Sequence, residues 1–288
     1  MSAVPAFFLK YQAKVTAELT QLLQPAAGSR VEQAMAYTAL APSKQVRAVL
    51  VLLCAELCRA TVDRAVPAAC AIELVHASSL VLDDLPAMDD APLRRGRRAN
   101  HLEFGEATAI LAAFGLLNLA YGVLAKHYAP PLAADMSALV SNAVGPAGLI
   151  GGQALDLEAT DQAITFETLE RIHRGKTGAL FVAAAACGAL TAGAAAEPIA
   201  ALTAYAKNLG LAFQIVDDLL DVAGTTAETG KVVRADARKT TFVSFSGIDG
   251  ARQLAAELCE TADRALAPFG TRADRLRELS AFVAARRR

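Results

Sequence analysis

The chain has 288 residues, 54% of them hydrophobic, and a formal net charge of −1. A chain with so little net charge lacks the strongly basic composition that is typical of proteins that bind nucleic acid or anionic membranes. The high apolar content with sparse Gly and Pro favours long, extensively buried helices. Five cysteines, an odd number scattered along apolar segments, favour reduced thiols and a cytoplasmic location.

Helical periodicity recurs along the chain, and no segment alternates long enough to predict a sheet. The predicted helices span residues 6–23, 44–60, 67–85, 103–127, 132–150, 178–192, 198–222, 250–267 and 272–286. Clusters of Gly and Pro predict breaks at residues 25–28, 86, 130–131, 151–152 and 224–230. Because no stretch has the length or composition of a linker, we predict one all-α domain, a large helical bundle over residues 1–288.

Residues 107–125 are uncharged over about the length that spans a bilayer. Small and polar residues interrupt the segment, and aromatic or basic anchors do not flank both ends. We therefore predict no membrane span. The expectation is a helix buried on all sides, in the core or at a subunit contact.

The segment LVLDDLPAMDDAPLRRG, residues 80–96, places four carboxylates directly after an apolar helix. Pro86 should end that helix, so Asp83 and Asp84 would lie at its C-terminus, where the helix dipole disfavours anions. Positive charge must compensate for this repulsion. It would come either from the two arginines that follow, which would make the cluster purely structural, or from a multivalent cation.

A second acidic group, LAFQIVDDLLD at residues 211–221, ends another long apolar helix. Asp217 and Asp221 share a helix face, and Asp218 lies about 100° round the helix. Alone, this group is consistent with a solvated helix end. Two aspartate groups that each end an apolar helix instead favour hard cations held by oxygen ligands and a substrate phosphate.

Basic side chains beside helix ends or glycine-rich turns could together clamp a diphosphate. They are Lys44, Arg47, Arg94, Arg95, Arg174, Lys176 and Lys231. Each alone is more typical of surface charge. His76 lies one helical repeat before Asp83 and would face the same way, so it is either a core histidine or a phosphate donor below a metal site.

Several short motifs occur in an order typical of one enzyme family. They are DDLPAMD at 83–89 with LRRG at 93–96, GGQALDL at 151–157, GKTGALF at 175–181, and FQIVDDLLD at 213–221 with GK at 230–231. The ordered set resembles the trans-isoprenyl diphosphate synthases over nearly the whole chain. The resemblance implies the isoprenoid synthase fold, a helical bundle around a deep central cavity. It also implies a homodimer, with the two aspartate motifs facing each other across the cavity mouth.

The resemblance also implies a substrate and a role for each motif residue. Magnesium ions would bridge the carboxylates to an allylic diphosphate, which is dimethylallyl, geranyl or farnesyl diphosphate. The metal ligands would be Asp83, Asp89 and Asp217, with Asp84 supporting them. The allylic diphosphate would be held by Arg94, Lys176, Thr177, Gln214 and Lys231, and isopentenyl diphosphate by Lys44, Arg47, His76 and Arg95. The expected catalytic residues are Asp83, Asp84, Asp89, Arg94, Lys176, Asp217 and Lys231. The charge of the metal and of the lysines would stabilise the departing diphosphate, whose oxygen is the expected proton acceptor.

The chain departs from the family pattern in three places. PSKQVRA at residues 42–48 stands where GGKRLRP is usual, which weakens the expectation of tight isopentenyl diphosphate binding. Arg98 stands where proline is common, and the sequence assigns it no role. Arg238 precedes Lys239 where glycine is common, so Lys239 is assigned to the site only weakly.

Product length should be set by the side chains one turn before the first aspartate motif. Ser78 and Ser79 are small, which predicts a C20 product, geranylgeranyl diphosphate, with C15 farnesyl diphosphate as the alternative. Two other functions compete with this prediction. A class I terpene cyclase usually has a different second metal motif, and a non-catalytic subunit of a partner synthase tends to lose its aspartates. The allylic starter and the downstream pathway are not determined by the sequence.

Overall fold

The computed structural model describes residues 4–24, 28–223 and 239–286. Over these residues the chain is a bundle of helices, which confirms the predicted all-α class, and its only sheet is a short hairpin. The helices are α1 (Ala6–Leu23), α2 (Arg30–Ala39), α3 (Val46–Leu57), α4 (Val62–Asp83), α5 (Asn100–Phe104), α6 (Glu106–His127), α7 (Pro130–Val144), α8 (Leu149–Glu158), α9 (Phe166–His173), α10 (Ala179–Thr191), α11 (Ala196–Ala223), α12 (Phe242–Ala265) and α13 (Asp274–Ala284). A π-helical turn, Arg174–Gly178, joins α9 to α10, and a 3₁₀ helix, Ala267–Ala273, precedes α13.

The core forms where α3, α4 and α10 pack together, and both α3 and α10 are buried along almost their whole length. Small side chains allow this close approach. A Cβ atom on Gly188 of α10 would lie 2.3 Å from the carbonyl oxygen of Val51 in α3. The alanine-rich composition therefore serves close helix packing, and it brings the starts of α3 and α10 to the same side of α4.

The helix α4 begins at Val62, earlier than predicted, and includes Pro67. A proline inside a helix removes one backbone hydrogen bond and pushes the preceding turn apart. Here the Tyr128 hydroxyl fills the gap, donating to the Arg64 carbonyl at 2.8 Å and accepting from the Ala68 N–H at 3.1 Å. The contact explains how α4 continues through a residue that the sequence pattern takes as a boundary.

The short helices α2, α8 and α9 were not predicted, and the predicted break at Gly151 and Gly152 is wrong because both lie inside α8. The predicted helix over residues 132–150 is also too long, since α7 ends at Val144. A Cβ on Gly152 would lie 2.1 Å from the backbone nitrogen of Lys176. The glycines therefore serve close contact between α8 and the π-helical turn.

Residues 107–125 are not buried on all sides within the single chain, so burial in its core is wrong, whereas burial at a subunit contact stays a prediction. One face of α6 leaves large apolar side chains exposed, with Ile110 38%, Leu111 55% and Phe114 66% accessible. By length and composition three helices of the described chain could cross a membrane: Val62–Asp83, Glu106–His127 and Ala196–Val222. The absence of a membrane span stays a prediction.

The hairpin consists of β1 (Leu93–Arg94) and β2 (Arg97–Arg98). Its two connecting residues, Arg95 and Gly96, have positive φ angles of 55° and 74°. Positive φ at both positions is what a two-residue type I′ turn requires. The hairpin follows the first aspartate motif and directs its arginines back toward α4 and α2.

Candidate active site

The first aspartate motif lies at the C-terminal end of α4, as predicted. Asp83 is the last residue of the helix and Asp84 caps it. Asp84 is buried, and Arg94 donates to its Oδ1 from Nε at 2.8 Å and also from Nη2. Asp83 accepts hydrogen bonds at Oδ1 from Gln153 Nε2 at 2.8 Å and from Lys176 Nζ at 3.2 Å.

The π-helical turn presents two further predicted residues to this cluster. Lys176 Nζ also lies 2.7 Å from Asp156 Oδ2, so its ammonium group is shared by two carboxylates. The Thr177 hydroxyl donates to Gln214 Oε1 of α11 at 2.9 Å. Single π-helical turns are frequent at functional sites, because the extra residue redirects side chains.

Lys239 completes a chain of alternating charges. Its Nζ lies 2.7 Å from Asp89 Oδ1 and 2.9 Å from Asp156 Oδ2. The order of contact is Asp83, Lys176, Asp156, Lys239, Asp89. The weak assignment of Lys239 is therefore corrected, and Asp156 is a site residue that the sequence analysis missed although GGQALDL contains it.

The pKa shifts in this run of alternating charges follow from opposing effects. Burial raises the pKa of Asp83 and of Asp156, but nearby positive charges outweigh it and hold both below their usual range. These charges are Lys176, Arg94 and Lys239 for Asp83, and Lys176 and Lys239 for Asp156. Burial lowers the pKa of Lys176, and Asp83 and Asp156 reverse that shift, so its pKa is raised. All of these groups are therefore charged at neutral pH.

The aspartates of the second motif have different partners. Asp218 is buried and accepts from Gln214 Nε2 at 3.0 Å and from the Phe242 N–H at 3.0 Å, which ties α11 to the start of α12. Asp217 is more accessible and forms an ion pair with Arg286 at the C-terminal end of the described chain. Only Asp217 of these two therefore has the exposure expected of a ligand.

Arg286 is the first of three consecutive arginines, residues 286–288, a pattern that predicts a solvated basic end, and for Arg286 that prediction is wrong. Its side chain is 2% exposed, and its guanidinium carbon lies 4.0 Å from the centre of the Phe213 ring. Burial, with the nearby charge of Arg47, lowers the pKa of Arg286 to about 9. Three consecutive arginines at a chain end gave no signal of this, because the burial depends on a ring in α11.

Arg47 stacks beside Arg286. Its guanidinium carbon lies 4.6 Å from the Phe181 ring centre and 5.7 Å from that of Phe213, and its Nη1 is 3.4 Å from His76 Nε2. Its Nε, like Nε and Nη1 of Arg286, is buried without a hydrogen-bond partner in the described chain. Buried donors without a partner are costly and point to an anion as their ligand.

The remaining predicted cations are placed as follows. Arg95 Nη1 donates to the Thr38 carbonyl at 3.2 Å, at the end of α2. Lys44 is half-buried just before α3. Gln45, which replaces an arginine of the usual pattern, turns away and donates to Thr16 Oγ1 at 3.1 Å. Arg98 lies at the surface, 3.9 Å from Glu103, and Lys231 lies outside the described residues.

Two separate chains of contact show that the two aspartate motifs lie close together, at one site. Asp83 contacts Lys176, whose neighbour Thr177 bonds Gln214, three residues before Asp217. Independently, Arg47 contacts His76 of α4 and shares the Phe213 ring with Arg286, which pairs with Asp217. The predicted convergence of the two motifs therefore agrees with the observed contacts.

The two serines below the first motif differ in orientation. Ser78 is buried, and its hydroxyl donates to the Ala113 carbonyl of α6 at 2.8 Å. Ser79 is half-buried, and its hydroxyl donates to the His76 carbonyl within α4 at 2.8 Å. Ser78 therefore faces the α4–α6 contact, and Ser79 lies on the side of α4 that carries His76 and Asp83.

A separate cavity of about 300 Å³ opens between α7, α10 and α11. Its lining residues are Leu139, Asn142, Ala143, Arg174, Gly178, Ala179, Val182, Ala183, Lys207 and Leu211. It borders the π-helical turn, but neither aspartate motif lines it.

The chain matches known proteins over most of its length. The polyprenyl synthetase family model matches residues 29–264. A geranylgeranyl diphosphate synthase of Cyanophora paradoxa is 40% identical, covering 86% of this chain and 84% of that protein, and the farnesyl diphosphate synthase of Escherichia coli is 41% identical, covering 84% and 83%. The apo crystal structure of an FPP/GFPP synthase from Zymomonas mobilis is 32% identical, with a TM-score of 0.86 over 97% of this chain and 98% of that one.

Replacing the shared carboxylate with an amide, Asp156→Asn, should lower the free energy of unfolding by an amount that depends on pH. The pKa of Asp156 is lowered on folding, so its stabilisation is complete above the unfolded pKa, near 4, and is lost as pH falls through the folded value. We expect the variant to be less stable than the wild type by about 2 kcal/mol at pH 6, with the difference shrinking below pH 4. Urea denaturation between pH 3 and pH 6 measures this.

The control for this experiment is Asp63→Asn. The Asp63 side chain is 80% exposed and pairs with Lys14 at the surface, so its loss should change stability by less than about 0.5 kcal/mol. A difference between wild type and Asp156→Asn that stays constant with pH would contradict the prediction.

Proposed function

This chain belongs to the polyprenyl synthetase family, and we propose that it joins isopentenyl diphosphate to an allylic diphosphate to make geranylgeranyl diphosphate. The chain is a trans-prenyltransferase. The observation that carries the proposal is the alternating run of carboxylates and ammonium groups that joins Asp83 to Asp89 of the first aspartate motif. Such a site suits a ligand that brings both negative phosphates and hard cations. The hydrogen bonds and ion pairs of the aspartates do not support the two competing functions, a terpene cyclase and a non-catalytic subunit of a partner synthase.

The reaction breaks the bond between the allylic carbon and its diphosphate oxygen. Lys176 and Arg94 lie where positive charge would stabilise the developing diphosphate, and both have a raised pKa and so remain protonated. The allylic carbon then bonds to the alkene of isopentenyl diphosphate, and the resulting cation loses a proton. The released diphosphate is the proposed acceptor of this proton, which requires no side-chain base.

Magnesium is a proposed cofactor, and the residues fit it in donor chemistry. Within the described part of the chain no group of three His, Cys, Asp or Glu side chains lies ready to hold a metal. Asp83 and Asp89 nevertheless bind ammonium groups there, so their oxygens already face positive charge. With Asp217 they would hold magnesium, which when bound neutralises charge on the diphosphate. Arg286 would then give up its ion pair with Asp217.

The second substrate is proposed to bind near the buried guanidinium groups. Arg47 has a buried donor without a protein partner and lies beside His76. Arg95 lies close enough to Arg47 for its charge to lower the pKa of Arg47, and Lys44 lies three residues before Arg47. A diphosphate here would supply the missing acceptors.

An activity assay tests the proposed function directly. Purified protein with magnesium, isopentenyl diphosphate and each allylic starter should release diphosphate and form a longer prenyl diphosphate, and chelation of magnesium should abolish this. Asp83→Ala and Asp217→Ala should each lower kcat at least about 100-fold, since each removes a ligand of the magnesium that would neutralise the departing diphosphate. Asp249→Ala is the control, because that side chain is 99% exposed. Near-normal rates in either aspartate variant would contradict the assignment.

The C20 product is proposed because the residues below the first motif are small. Ser78 is buried against α6, and Ser79 lies on the side of α4 that carries His76. Neither side chain is bulky enough to block a growing chain that descends along α4. The similar proteins include both geranylgeranyl and farnesyl diphosphate synthases, so C15 is the alternative.

Substituting an aromatic residue at this level, Ser78→Tyr, should shorten the product from C20 to C15 or below. The phenol cannot fit in the space of the hydroxyl that bonds Ala113, so it must extend toward the growing chain or push α6 away. Product length is measured by mass spectrometry, with thermal unfolding as a check on folding. Ser78→Ala, which removes only the hydrogen bond, should leave product length unchanged. A folded Ser78→Tyr variant that still makes C20 would refute the role of this residue.

We also propose a homodimer formed through the exposed apolar face of α6. Leu111 and Phe114 are 55% and 66% exposed, and Ile110 extends the same stripe. An apolar stripe of this kind on a soluble protein is typical of a subunit interface.

The proposed cytoplasmic location is supported by five free cysteines.

A charge in the middle of this face, Phe114→Asp, should convert the dimer to a monomer. Burying an unpaired carboxylate in an apolar contact should raise the dissociation constant by at least about 30-fold. Light scattering coupled to size-exclusion chromatography measures the mass. Leu9→Asp is the control, because Leu9 is 54% exposed on α1 and outside the stripe. A monomeric wild type, or a Phe114→Asp variant that stays dimeric, would refute the interface.

A further inference from the structure

Glu73 is a buried carboxylate on α4 that the proposed chemistry does not use. It is 6% exposed and lies three residues before His76, so these two side chains are neighbours on one face of α4. Its Oε1 accepts a hydrogen bond from the Ala48 N–H at 3.2 Å. Ala48 is in the first turn of α3, directly after Arg47.

The start of α3 depends on this contact because its own cap is weak. Gln45, the residue before the helix, has a positive φ of 48°, and its side chain does not cap the helix. The first backbone N–H groups of a helix need acceptors, and a carboxylate there is also favoured by the helix dipole. Glu73 therefore acts as a cap supplied by another helix, and it holds the turn from which Arg47 extends.

Glu73 also acts on two guanidinium groups that repel each other. Burial lowers the pKa of Arg47 to about 10, and Glu73 opposes this while Arg95 adds to it. Burial also lowers the pKa of Arg95, and Glu73 opposes that shift too. Without the carboxylate, the buried guanidinium of Arg47 and the half-buried one of Arg95 would lose their shared counter-charge.

We propose that Glu73 is a positioning residue for the diphosphate of isopentenyl diphosphate: it fixes the first turn of α3 and holds Arg47 and Arg95 together as a cationic pair. The inference rests on the proposed function. It differs from a direct binding role, because the carboxylate repels phosphate and acts only through the two arginines. The allylic diphosphate site, built around Lys176 and Asp83, should not depend on it.

The test is Glu73→Gln, which keeps an oxygen acceptor for the Ala48 N–H but removes the charge. We expect KM for isopentenyl diphosphate to rise about tenfold, as is typical when a supporting partner is lost, while KM for the allylic substrate changes less than about twofold. Glu73→Asp keeps the charge and should recover part of the loss. Glu56→Gln is the matched control: it removes a carboxylate of α3 that pairs with Arg275 away from the cleft, and both KM values should stay unchanged.

A purely structural role would lower the melting temperature and move both KM values together, or neither, and either result would overturn the inference. Failure of the proposed function is distinguishable, because the wild type would then form no product. In that case calorimetric titration with isopentenyl diphosphate decides. About tenfold weaker binding to Glu73→Gln than to the wild type supports the positioning role, and equal binding overturns it.

Discussion

The site depends on buried carboxylates that hold buried cations in place. A concentration of lysine and arginine side chains inside a protein repels itself unless counter-charges lie between them. Asp84 holds Arg94, and Asp156 joins Lys176 to Lys239. Each of these cations therefore has a carboxylate partner within the described chain, and the pKa of Arg94, of Lys176 and of Lys239 is raised, so all three stay charged.

Backbone geometry brings these charges together. Gly152 lets α8 approach the π-helical turn closely. The π-helical turn then places Lys176 against Asp83 of α4 and Asp156 of α8. The alanine-rich packing of α3 against α10 brings the Arg47 guanidinium over the Phe181 ring. Small residues, which carry no chemistry themselves, thus set the distances between the groups that do.

Sequence patterns predicted the features that are local and missed those that depend on tertiary contact. Asp83 and Asp217 were recognised because each ends an apolar helix, a pattern visible within a single segment. Pro67 was read as a boundary because the compensating hydroxyl of Tyr128 comes from a distant helix. Arg286 was read as solvated for the same kind of reason, since the ring that covers it belongs to α11.

The pairing of Arg286 with Asp217 links the C-terminal end of the described chain to the second aspartate motif. A buried guanidinium with unpartnered nitrogens, beside a second guanidinium on the same ring, is costly without an anion. Asp217 supplies part of the missing negative charge through its ion pair with Arg286. In the proposed reaction the diphosphates would supply it instead, which would free Asp217 for a metal. The positive charge of Arg47 and Arg286 would therefore be matched either by Asp217 or by diphosphate. A substrate phosphate and a metal ion should then each favour the binding of the other.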